Sequence, residues 1–204
     1  MSAHQTDVNK PLEYQDHQGR LNIIGFWIFL GAEVALFSTL FATYFVMKAG
    51  GSDAGFHPAD MFELPLVLIM TFLLLASSFT CGLALHAMRD QKWGQFMTYQ
   101  IITLVLGIGF VGFEIYEFAH YVGEGVTLSV GSYWSSFFVL LGTHGAHVSL
   151  GIFWIIGLLI QFKMRGGMTP KLASKFFVSS LYWHFLDVIW IFIYTGVYLF
   201  GLMQ

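Results

Sequence analysis

The chain is predicted to be all-α: an integral membrane bundle of five transmembrane helices, N-terminus inside and C-terminus outside. Three observations predict it. Hydrophobic residues make up 56% of the 204 and charged residues only 10%, where a soluble domain carries about 25%; mean hydropathy is +0.69. The apolar residues gather into five long runs. Lys and Arg fall on alternate sides of those runs.

Residues 1–21 form a polar tail, expected to be cytoplasmic. It has no short apolar region before a small-residue cleavage site, so no cleaved signal peptide is expected. The runs follow at about 22–48, 64–88, 95–122, 132–162 and 175–201, within one transmembrane domain, 22–204. Each exceeds the roughly 20 residues that cross the hydrocarbon core, so tilt or protrusion is expected. Gly and Pro mark the connections as turns, none long enough for a second domain. Orientation follows from Lys10, Arg20, Arg89, Lys92, Lys163, Arg165, Lys171 and Lys175 on one side against Lys48 on the other. Trp93, Trp134 and Tyr198 sit near predicted helix ends, as an aromatic belt would. Cys81, the only cysteine, excludes an intrachain disulfide. A net charge of −3 without a basic patch argues against nucleic acid as a partner.

Polar residues at membrane depth are the candidates for function. His144 and His147 share a face in the fourth run, with His144 roughly 17 Å along the axis from Tyr133, close to the midplane. Glu33 lies in the first run, Glu114, Glu117 and His120 in the third, and His184 and Asp187 in the fifth. Exposing them separately to lipid is costly, so one intramembrane cluster with carboxylates facing imidazoles is expected. Such a cluster fixes helix register, holds a lipid head group or carries protons. Glu117-x-x-His120 has the spacing used by di-iron bundles, but two such pairs are needed and one is present. Haem between His144 or His147 and His184 is open on spacing alone. A proton channel through Glu33, Glu114 and Asp187 lacks the inverted repeats and broken helices of transporters. Ser78/Gly82, Gly142/Ala146 and Gly107, Gly109 and Gly112 are positions where helix backbones are expected to approach.

Three stretches together carry a resemblance. Gly25-Phe-Trp-Ile-Phe-Leu-Gly-Ala-Glu33, Gly142-Thr-His-Gly-Ala-His-Val-Ser-Leu-Gly151 and Trp183-His-Phe-Leu-Asp-Val-Ile-Trp-Ile-Phe192 resemble subunit III of the haem-copper respiratory oxidases, in order, from Asn22 to Met203. Five helices resemble the quinol-oxidase branch. Gly112-Phe-Glu-Ile-Tyr-Glu-Phe-Ala-His-Tyr121 and Ser179-Ser-Leu-Tyr-Trp-His184 look most like the Gram-positive aa3-type menaquinol oxidases.

The resemblance implies a bacterial cell-membrane protein and a structural subunit of a proton-pumping quinol:oxygen oxidoreductase. It implies no catalytic, cofactor or metal residue here: haems and copper belong to subunit I. It implies contact with subunit I, subunits II and IV in the same complex, and phospholipid in a V-shaped helix cleft. Glu33 matches the family carboxylate that reacts with carbodiimide, and Glu117 matches the Glu of the next-but-one helix. Glu114 stands where the long-chain pattern has Gln.

Overall fold

The computed structural model describes residues 11–15, 17–50 and 63–200. Its helices are α1 (His17–Ala49), α2 (Leu64–Arg89), α3 (Trp93–Gly123), α4 (Ser132–Arg165) and α5 (Pro170–Ile193). A π turn, Tyr194–Leu199, extends α5, and a one-turn 3-10 segment, Leu12–Tyr14, precedes α1. All five helices are long and apolar enough to cross a membrane.

Helix ends follow local chemistry. α5 begins at Pro170, five residues before the predicted start. Lys171 and Lys175 end the apolar run but do not stop a helix. The start is set instead by Thr169, whose Oγ1 accepts a hydrogen bond from the Leu172 amide at 3.2 Å, and by Pro170 in the first turn. α4 stops at Gly166, where a φ of 69° favours glycine. In the tight α2–α3 turn Lys92 bonds Asp90 at 2.9 Å, which holds that exposed carboxyl below its ordinary range. The loop at 51–62 and the predicted helix end at 201 lie outside the described residues.

α2 and α3 form a tightly packed antiparallel hairpin. α5 packs on α1, α2 and α4, and α4 on α1, α3 and α5. α5 is thus the central helix, 56% buried over its most apolar stretch, whereas α1 is 17% buried and rides on α4 and α5. The core is aromatic: Trp134, Trp183, Trp190, Tyr44, Tyr121 and Tyr198 are all buried. Trp134 and Tyr198 are therefore core residues and not members of an interfacial belt. Trp134 lies edge-on to Phe137, and Tyr198 bonds Glu117.

The small residues also differ from expectation. Instead of bringing backbones together, several seat large side chains. A Cβ on Gly107 would lie 2.8 Å from the Trp183 ring, and one on Gly151 would lie 3.1 Å from it on the other side. A Cβ on Gly145 would overlap the Glu114 carboxylate, and the His184 ring lies 4.0 Å from the Cβ position of Gly82. An aromatic or charged side chain facing another helix needs a socket, and glycine makes one without opening the helix.

The tail is a docked strap, not a free extension, over the part described. Helix α1 starts at residue 17, and Leu12–Tyr14 packs on α5. Glu13 is fully buried, and its Oε1 accepts from Arg89 Nε at 2.9 Å and Nη2 at 2.6 Å. Tyr14 meets Phe177 edge-on at 5.6 Å, and Ser174 donates to the Gly19 carbonyl at 3.2 Å. Residues 1–10 and 16 lie outside the described residues.

Candidate functional site: polar contacts inside the bundle

Each polar residue is aimed by its place on a helix. Glu33 lies on the side of α1 facing α4, and its Oε2 is 3.2 Å from His147 Nε2. The contact is close but bent, an electrostatic pairing and not an aligned hydrogen bond. The other imidazole nitrogen is held as well: His147 Nδ1 donates to the Thr143 carbonyl, 2.7 Å away. Phe37 packs edge-on against the ring at 5.4 Å, and Tyr182 donates to the His147 carbonyl at 3.1 Å.

His144 is fully buried. It donates through Nε2 to the Leu186 carbonyl at 3.1 Å and is walled by Phe37, Phe110 and Trp190. Among the described residues its Nδ1 has no hydrogen-bond partner. On α3, Glu117 accepts from Tyr121 at 2.6 Å and from Tyr198 at 2.9 Å on each oxygen. Glu114, buried against Gly145, has one oxygen without a partner among the described residues. Between α2 and α5, Ser78 Oγ is 2.6 Å from His184 Nδ1.

The eight predicted residues therefore do not meet as one cluster. Glu33 faces His147 directly. His184 meets Ser78 of α2 at its Nδ1. Glu117 is held by phenols, because it lies about two helical turns beyond Phe110, the residue of the same α3 face that meets His144, and so stands level with Tyr198 instead. His120 leaves the interior altogether: its side chain is 40% exposed, 4.0 Å from Glu63. Sequence reasoning missed Tyr121, Tyr198 and Ser78. Tyr121 had a signal, since it stands four residues from Glu117 on the same face.

Among the described residues no three His, Cys, Asp or Glu side chains converge as a metal-ligand group. His144 Nε2 and His184 Nδ1 are both engaged, by the Leu186 carbonyl and by Ser78. Apolar grooves open on the surface. One of about 750 Å³ runs between α3 and α4 beneath the loop at Thr127–Ser129. Another, of about 430 Å³, lies between Phe26 of α1, Trp154 of α4 and Val178 of α5, with Asn22 and Lys175 among its lining residues.

Five membrane-crossing helices, cross-linked internally by polar contacts and apolar outside, define a multi-pass membrane subunit. The chain belongs to the cytochrome c oxidase subunit III family, which it matches over residues 16–202. It is 63% identical over 200 residues to "Quinol oxidase subunit 3" of Bacillus subtilis, covering 98% of this chain and 97% of that one. It is 61% identical over 192 residues to "Probable quinol oxidase subunit 3" of Staphylococcus saprophyticus, covering 94% and 95%. To the Staphylococcus aureus protein of that name it is 58% identical over 201 residues, covering 98% of each. The chain is thus a multi-pass bacterial membrane protein and a subunit of a respiratory oxidase.

Proposed function

We propose that this chain is the third, non-redox subunit of a proton-pumping quinol:oxygen oxidoreductase. Its likeness over nearly its full length to proteins named quinol oxidase subunit 3 supports quinol as the donor of the complex. In this reading subunit I carries the haems and copper, subunits II and IV belong to the same assembly, and this chain buttresses subunit I. In the same reading phospholipid fills the grooves at the bundle surface, which are mostly apolar and open near the ends of the membrane-spanning helices.

The observation that carries the structural role is the Glu33–His147 contact. α1 is the least buried helix, and this contact ties it to α4 at mid-span. The polar residues act as ties between helices, which is what a scaffold needs from them. The test is Glu33→Ala in the whole complex. Subunit association or lipid retention weakens while the haem spectrum is unchanged. A Soret band from the isolated chain, or proton flux through it in liposomes, would overturn the reading.

A further inference from the structure

Helix α5 leaves one stripe uncovered. Leu181 and His184 are half-buried, and Val188 and Phe192 are exposed. The stripe lies between α1 and α2, both of which pack on α5. Ser78 and Gly82 of α2 seat the His184 ring, so Leu75 and Phe79, each three residues before one of them and both exposed, form one wall. On the other side Phe41 meets Phe192 and Phe45 lies against Gly196. Ser38, seven residues before Phe45, shares that face, and it is exposed with Ala35 and Ala42 beside it. The result is a trough with an aromatic and aliphatic wall, a small-residue wall and an imidazole in its floor.

The imidazole makes this surface unlike ordinary lipid-facing helix. Ser78 Oγ lies 2.6 Å from His184 Nδ1 and satisfies that nitrogen. Nε2, the other ring nitrogen, has no hydrogen-bond partner among the described residues. His184 lies halfway along the membrane span Pro170–Leu199. Acyl chains offer no hydrogen-bonding group at that depth, and leaving the nitrogen against them is costly. Small residues on the α1 wall let a neighbouring helix come close.

We infer that this trough is the docking site for a transmembrane helix of another oxidase subunit, one that presents a hydroxyl or amide group to His184 Nε2 at mid-bilayer. The inference rests on the reading of the chain as one subunit of an oxidase complex. A photo-crosslinking residue, p-benzoylphenylalanine, placed at Val188 tests it, with Val105 on the exposed face of α3 as the control; the two are 53% and 62% exposed. The tagged full-length chain is expressed with its complex, illuminated in native membranes and purified. The expected result is a protein adduct from Val188 and none from Val105. His184→Asn, which keeps a group near Ser78 but loses the outward nitrogen, lowers co-purified subunits about threefold relative to His184→Gln, the effect of one average interhelical hydrogen bond. Co-elution of the complex with no protein adduct at Val188 overturns the docking site alone. Elution of the tagged chain without any oxidase subunit overturns the subunit reading and the docking site with it.

Discussion

Oε2 of Glu33 lies 3.2 Å from Nε2 of His147, and Nδ1 of the same ring is fixed on the Thr143 carbonyl. The pair joins the least buried helix to α4. Both side chains keep slight exposure, 12% and 17%, so the coupling is that of a typical interhelical contact and not of a sealed ion pair. A double-mutant cycle of Glu33→Ala and His147→Ala, read by thermal unfolding in detergent, should give a coupling of roughly 0.5–1.5 kcal/mol. A coupling near zero would show that the two residues stand side by side without stabilising the bundle.

Glu117 depends on two phenols. Tyr198→Phe leaves a buried carboxylate with fewer donors, and the expected loss is about 1–3 kcal/mol. Adding Glu117→Leu to Tyr198→Phe should recover part of that loss, because the group left without a donor is then gone. If the double variant unfolds earlier than Tyr198→Phe alone, the hydroxyl is not acting as a donor to the carboxylate.

Gly145→Ala is expected to force the Glu114 carboxylate out of the space its Cβ would occupy. Overpacking of this kind costs about 1–3 kcal/mol. Glu114→Ala made together with Gly145→Ala should restore much of the melting temperature. Additive losses in the double variant would contradict the socket.

At the cytoplasm-predicted end, Arg89→Ala strands the buried Glu13 carboxylate. Arg89 is itself 47% exposed, so the loss is put at about 2 kcal/mol, below the figure for a fully enclosed pair. The release should be local. Amide exchange at Leu12–Tyr14 accelerates while α4 and α5 keep their protection. Unchanged exchange in the strap would show that Tyr14 and Leu12 hold it without the ion pair.

The spans were legible because hydropathy reports depth, and depth alone places Glu33, His144 and His184 within the membrane. Who meets whom was not. The partner of a buried acid depends on how each helix is rotated and tilted, and an apolar run does not encode rotation. Glu117 shows the consequence, with its expected imidazole replaced by Tyr198 from a helix 81 residues away. Trp134 and Tyr198 misled for the same reason: near a helix end, the same ring serves an interface or a core according to which way the helix is turned. The start of α5 was misjudged because lysines in its first turns broke the apolar run without breaking the helix, and Thr169-Pro170 was the stronger signal.

Trp183 lies clamped between Gly107 on α3 and Gly151 on α4, so three positions far apart in the chain share one volume. Among descendants of this protein, none of the three is free to drift by itself. A bulkier residue at 107 or 151 becomes tolerable only after the indole shrinks, and a lineage that loses the indole relaxes both glycines at once. Those substitutions should arrive in company and in that sequence.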